Sequence, residues 1–239
     1  MEKLFLVVMA MVFTMPFFTG HTAEAAAKGR ILLVASSQQT MALKNGTKMD
    51  VGFYLNELAV PAQYLAKQGY EVISLKKANE ELAHFDAIFI PGGHAPMTDL
   101  MQDEELGTAL RYFHKQNKPT AAICHGPVAL LAALPQAASF RQTIAADDVK
   151  GAQLASKDWI YEGYQMTMLS DLEEWPGELH KGTQMPFHIE QALQMAGGTI
   201  VNAGMYKSHV IRDRELITGE NPQSDLALAK ALDEALQKK

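Results

Sequence analysis

The stretch KPTAAICHGPVALLAALP, residues 118–135, decides the fold. Its first part, KPTAAICHG (118–126), is a short continuous apolar run, the pattern of a strand buried on both faces rather than one alternating between core and solvent. Its second part, PVALLAALP (127–135), predicts a short helix that Pro127 opens at its first position, where no N–H is needed. A buried strand turning directly into a helix is half of a parallel α/β unit. The turn carries the chain's single cysteine, Cys124, followed by His125, Gly126 and Pro127. Neighbouring side chains on a straight strand point to opposite faces, so Cys124 and His125 can share one pocket only if the chain bends, which Gly126 and Pro127 favour.

The same grammar repeats outward. RILLVAS (30–36), YEVISL (70–75) and DAIFIPGG (86–93) are strand-like. GFYLNELAVPAQYLAKQG (52–69) predicts a helix ending at Gly69, with Pro61 either kinking it or opening its second half. DEELGTALRYFHKQN (103–117) predicts another, with acidic residues where the helix dipole is positive. Beyond the cysteine turn, MPFHIEQALQMAGG (185–198) reads as a helix, and TIVNAG and HVIRDRELITG as strands with a turn near Asp213. SDLALAKALDEALQKK reads as a last helix capped by Ser224 or Asp225. The pattern predicts a doubly wound α/β domain, a mostly parallel sheet with helices on both faces. With no repeat, low-complexity tract or linker, residues 26–239 read as one domain.

The 239 residues are 48% hydrophobic and 20% charged, an ordinary globular balance. The formal charge of -6 comes without a basic block, which argues against nucleic-acid or anionic-membrane partners and leaves a small molecule as the default. Residues 1–25 read as a secretory signal peptide: Lys3, the apolar run LFLVVMAMVFTMPFF, then small residues with cleavage after Ala25. An uncleaved anchor is the alternative, although the run falls short of the roughly 20 residues a spanning helix needs. Export, periplasmic or secreted, is the expectation. An oxidising compartment makes a lone thiol either a buried, inert hydrophobe or a reactive group, and one cysteine excludes both an intramolecular disulfide and a cysteine-rich zinc site.

Ligands of open α/β sheets collect beyond the carboxyl ends of the strands, where Cys124 lies. A thiol there faces the positive end of the following helix, which favours thiolate, and nearby backbone N–H groups can stabilise an oxyanion. The arrangement has the logic of the G-x-S-x-G elbow, with Ala122 where that motif has its first glycine.

AICHGP resembles the nucleophile elbow of the ThiJ/PfpI superfamily, and further segments resemble its Hsp-thirty-one-like branch of glutathione-independent, glyoxalase III-like enzymes. VGFYLNELAVPAQYLAKQGYEV is similar to the branch's early helix with a buried glutamate, FDAIFIPGGHAPMTDL to its glycine-turn segment, and MPFHIEQALQMAGG and ELITGENPQSDLALAKAL to its late helix and C-terminal end. The resemblance implies a flavodoxin-like, class I glutamine amidotransferase-like fold. It also implies that Cys124 is the nucleophile, His125 its acid/base partner, Glu57 the carboxylate on the sulfur, and Glu174 the third triad member, with Glu173 and Asp171 as close alternatives. Gly92, Gly93 and His94 would line the oxyanion and substrate side with His209, and the Gly93 and His125 amides would form the hole. The implied reaction converts methylglyoxal or a related 2-oxoaldehyde to a 2-hydroxy acid without metal, nucleotide or other cofactor, and by analogy with the superfamily the resemblance implies a homodimer.

Two departures stand out. A Pro-Trp pair common among relatives before the position of His209 is missing, Tyr206 being the nearest aromatic, and an export signal is unusual for the group. Taken without the resemblance, Glu57 can face solvent or core, the acidic run at Glu173 and Glu174 reads as a solvated loop, and His84, His114, His180 and His188 read as surface residues. Rival functions are a holdase chaperone, a cysteine peptidase or amidotransferase-like hydrolase, and a thiol oxidation sensor.

Overall fold

A computed structural model describes residues 27–74 and 82–238; the expected signal peptide lies outside the described residues. Ten strands are present among them: β1 (Gly29–Leu33), β2 (Thr40–Ala42), β3 (Lys48–Asp50), β4 (Tyr70–Ser74), β5 (Ala87–Ile90), β6 (Thr120–Ile123), β7 (Gln165–Met166), β8 (Thr199–Ile200), β9 (Val210–Asp213) and β10 (Leu216–Gly219). The main sheet has the order β4-β1-β5-β6-β10-β9, parallel except for β9, which pairs antiparallel with β10. This is the expected α/β architecture. Both central strands are buried at every position, so alternate residues feed two separate cores. Ile88, Ile90 and Ala122 enter one, with Leu110, Phe113 and Leu130; Ala87, Phe89, Ala121 and Ile123 enter the other, with Leu65, Leu228 and Leu232.

Among the described residues, seven α-helices surround the sheet: α1 (Leu55–Lys67), α2 (Glu104–Lys115), α3 (Ala137–Ala145), α4 (Val149–Ala155), α5 (Asp171–Lys181), α6 (Ile189–Met195) and α7 (Asp225–Gln237). Pro61 neither divides nor ends α1, which runs through it. Asp103 caps α2, accepting from the Leu106 N–H at 2.7 Å. The segment after Cys124 is a 3-10 helix, Gly126–Ala133, rather than an α-helix. Ser224 stands at the start of α7 but does not cap it; its hydroxyl bonds Asn221 Oδ1 and the His209 N–H instead. The turn near Asp213 is the Arg214-Glu215 hairpin, with Arg214 in the left-handed region at φ 58°.

Among the strands and α-helices, five features have no counterpart in the sequence reading: the β2–β3 hairpin, β7, α3, α4 and α5. The last matters most, because the expected solvated loop at Glu173 and Glu174 is a helix. Its apolar residues Leu172, Trp175 and Leu179 face solvent, so no core-facing stripe announces it. What starts it is a capping box: Ser170 accepts from the Glu173 N–H while Glu173 reaches back to the Ser170 N–H. Among the described residues no helix is long and apolar enough to cross a membrane.

Candidate active site

Cys124 follows the last residue of β6 and takes φ 59°, a left-handed conformation that a side chain rarely adopts. Both of its backbone groups are tied: its N–H donates to Gly219 O at 2.9 Å and its carbonyl accepts from Leu169 N–H at 3.1 Å. Those bonds hold the bend that places sulfur and imidazole on one side, with Cys124 Sγ 3.4 Å from His125 Nδ1. The expected turn is therefore present, made by Cys124 itself.

His125 is buried, and its Nε2 lies 2.6 Å from Glu174 Oε2. Burial alone would raise the Glu174 carboxyl, but hydrogen bonds from His125 and His94 outweigh it and hold the group well below the usual carboxylate range. An ionised carboxylate only accepts, so His125 carries its proton on Nε2 and turns the Nδ1 lone pair to the thiol. Burial, with His94 beside it, lowers the imidazole's own pKa against the pull of Glu174, so the ring is neutral at rest.

Glu57 lies on the buried stripe of α1 with Pro61 and Leu65, fully inaccessible. Its Oε2 accepts the Gly92 N–H at 3.1 Å, whereas Oε1 has no hydrogen-bond partner of good geometry. Burial pushes this carboxyl up to about 8, against a lowering contribution from the Cys124 thiol and the Gly92 amide. At neutral pH it carries a proton, and Oε1 is the oxygen free to hold it. A side chain at Gly92 would fall 2.4 Å from Glu57 Oε2 and 2.7 Å from Cys124 Cβ, so this close approach requires glycine.

The thiol departs from expectation. Burial and the neighbouring Glu57 push it well above the ordinary cysteine value, outweighing the backbone N–H groups of His125 and Gly93 that bond the sulfur. The resting group is a neutral thiol, because desolvation of an anion in a closed site exceeds what a helix end supplies.

Of the eight residues singled out, the structure gathers seven. Cys124, His125, Glu57, Glu174, Gly92, Gly93 and His94 are linked by direct contacts. The Gly92 amide is committed to Glu57, whereas the amides of Gly93 and His125 bond the Cys124 sulfur. His94 does more than rim a pocket, for its Nε2 bonds Glu174 Oε1 at 3.0 Å and its ring lies 4.2 Å from that of His125. His209 belongs elsewhere; its hydrogen bonds run to Val201, Ser224 and Glu220. Of the three acidic candidates only Glu174 meets His125, since Glu173 bonds Ser170, Tyr206 and Asn221 and Asp171 pairs with His188.

Two histidines read as surface residues are not idle. His188 bridges Asp171 and Glu178 of α5, and His114 bonds buried Glu215. Their spacing to these partners in sequence gave no signal. A cavity of about 590 Å³ beside Thr108, Arg111 and Ser139 is lined by none of the site residues, and Cys124 is only 5% exposed.

Residues 25–137 match the DJ-1/PfpI family. The chain carries a DJ-1/PfpI family domain. The match takes in Glu57, Gly92, Gly93, His94, Cys124 and His125 and stops short of Glu174. The chain is 22% identical over 246 residues to the protein/nucleic acid deglycase HchA of Pseudomonas aeruginosa, covering 84% of this chain and 78% of that one. It is 27% identical over 152 residues to the bovine (Bos taurus) glutamine amidotransferase-like class 1 domain-containing protein 1, covering 63% and 59%. Among solved structures, the rapid encystment protein of Francisella tularensis superposes with TM-score 0.69 at 23% identity, over 87% of this chain and 99% of that one. Glyoxalase III of Candida albicans superposes with TM-score 0.63 at 17% identity, over 87% and 97%. These two likenesses speak to the fold alone.

Proposed function

We propose that this protein is a glutathione-independent glyoxalase that converts methylglyoxal or a related small 2-oxoaldehyde to a 2-hydroxy acid. The observation that carries the reading is the closed set around Cys124: a thiol facing the lone pair of a neutral imidazole, two backbone amides on the sulfur, and a protonated buried carboxyl beside it. Sulfur adds to the aldehyde carbon as the thiol proton passes to His125 Nδ1, and the Gly93 and His125 amides take up the developing oxyanion. Glu174 orients the imidazole and stabilises its charged form. A proton then moves from C1 to C2 through an enediol. Glu57, poised near neutral pH with an unpartnered Oε1, is suited to that exchange, and His125 shares it. Hydrolysis of the resulting thioester releases the 2-hydroxy acid and restores the thiol.

A site in which Cys124 is 5% exposed and Glu57 fully buried supports a small substrate over a glycated side chain on a protein. The names of the relatives, a deglycase and a glyoxalase III, support reactive-carbonyl chemistry in general. The apolar N-terminal run supports action outside the cytoplasm, in the periplasm or secreted. A holdase chaperone is the second reading, favoured by the exposed Leu172, Trp175 and Leu179 of α5 and by Phe53, Tyr54 and Leu55.

The test is lactate production from methylglyoxal without glutathione, beside Cys124→Ala. Lactate from the wild type alone supports the reading. Suppressed aggregation of a client by both proteins, with lactate from neither, transfers the function to the chaperone.

A further inference from the structure

Two imidazoles and a carboxylate meet at one point. His94 Nε2 lies 3.0 Å from Glu174 Oε1 and His125 Nε2 lies 2.6 Å from Glu174 Oε2. One ligand atom from each of the three residues falls within 4.8 Å of the others. In a tetrahedral zinc site with bonds of about 2.0–2.1 Å, neighbouring ligand atoms stand about 3.3 Å apart, so an ion fits here after shifts of side-chain scale. The donor set, two nitrogens and one oxygen, suits zinc and its neighbours rather than magnesium or calcium. Both rings are oriented before any ion arrives, by Glu174 and by each other at 4.2 Å.

We propose that His94, His125 and Glu174 form a binding site for a divalent transition metal ion of the zinc class, and that filling it silences Cys124. The ion takes the Nε2 lone pairs, so each ring carries its proton on Nδ1. His125 then presents a donor to Cys124 Sγ instead of the lone pair that receives the thiol proton. Nothing is oxidised or reduced: each ring gives up its Nε2–H bond and gains an Nδ1–H bond by proton exchange with water, and the ion bonds its three ligands and water. His94 separates this arrangement from a bare triad, since without it the ion has two ligands. Binding does not depend on which reaction the thiol performs; the silencing does rest on Cys124 acting as a nucleophile.

The experiment is a calorimetric zinc titration of the purified protein, with X-ray absorption at the zinc edge. The expected result is one zinc per chain, held by nitrogen and oxygen ligands, with affinity at least about tenfold weaker in His94→Ala, His94→Gln and Glu174→Gln. Circular dichroism verifies that each variant is folded, and the two substitutions at His94 separate loss of a ligand from a packing defect. Cys124→Ala should bind zinc within about threefold of the wild type. A larger loss there, or sulfur in the absorption spectrum, assigns the ion to the thiol and overturns the site, as does unchanged binding in the folded His94 variants. If methylglyoxal is turned over, zinc should inhibit it and a chelator restore it; absence of turnover leaves the binding result to decide alone.

Discussion

The nucleophile and the acid that orients its partner are held by different kinds of force. At the end of β6, Cys124 is fixed by backbone: its N–H bonds Gly219 across the sheet and its carbonyl accepts the Leu169 N–H, and Gly92 and Gly93 let neighbouring chain approach to distances no side chain permits. Glu174, by contrast, sits on α5, a helix whose apolar face looks outward and which is attached by polar side chains. Glu173 bonds Asn221 and the Tyr206 N–H, and His188 bridges Asp171 and Glu178. Steric fit is insensitive to pH and unforgiving of added atoms. Polar attachment titrates and degrades by steps. The family match follows the same division, covering the elbow and ending before α5.

The largest effect expected at the polar end is on turnover. Glu174→Gln removes the charge that faces His125 and replaces an acceptor with an amide, so kcat should fall by about 10²–10⁴-fold with little change in KM. A variant within tenfold of the wild type would mean that the carboxylate does not orient the base.

At the steric end, Gly93→Ala comes next. Gly93 has φ 93°, and its added Cβ would stand 2.2 Å from Gly52 O. Overpacking against backbone is expected to lower stability by about 1–3 kcal/mol, with backbone strain added, as read by denaturant unfolding. An unaffected midpoint would show that the elbow is looser than its geometry.

Glu57 tests whether the steric end really holds a neutral group. Its carboxyl is raised from 4.5 to about 8, so between those values the folded chain keeps a proton that the unfolded chain has lost. Its share of stability is therefore full below 4.5 and falls as pH rises through 8. Glu57→Gln cannot ionise, and its melting temperature should drop less between pH 5 and pH 8 than that of the wild type. Parallel curves would place the proton elsewhere.

The smallest effect belongs to His188. Hydrogen bonds to Asp171 and Glu178 raise it to about 9 although burial opposes them. The ion pairs thus stabilise α5 fully below the ordinary histidine value and fade as pH rises through 9. Because Asp171 is partly solvent-exposed, His188→Gln should cost only about 1 kcal/mol at pH 7. Wild type and variant should converge in unfolding midpoint above pH 9, and a gap that persists there would assign the effect to packing.

The steric end was the legible one. Apolar runs flanking KPTAAICHGPVALLAALP predict parallel strands, and Glu57, Gly93, Cys124 and His125 were identified by resemblance in segments the structure brings together. The stripe Glu57, Pro61, Leu65, spaced four apart, was available in the sequence as a sign that this glutamate faces inward. Ser170 and Glu173, spaced as a capping box, would have signalled α5, but an acidic segment with outward apolar residues reads as a loop. Nothing local could distinguish Glu174 from Glu173 or Asp171.

By itself, then, the sequence determined the sheet, the turn after β6 and the residue types at the turn, because period and turn chemistry are local properties of the chain. Only the tertiary structure decided that the thiol rests neutral, that Gly92 serves Glu57, that His209 lies in another network and that His94 shares Glu174 with His125. Each of those depends on which groups from distant segments are desolvated together, and desolvation is a property of the packed molecule rather than of any stretch of sequence.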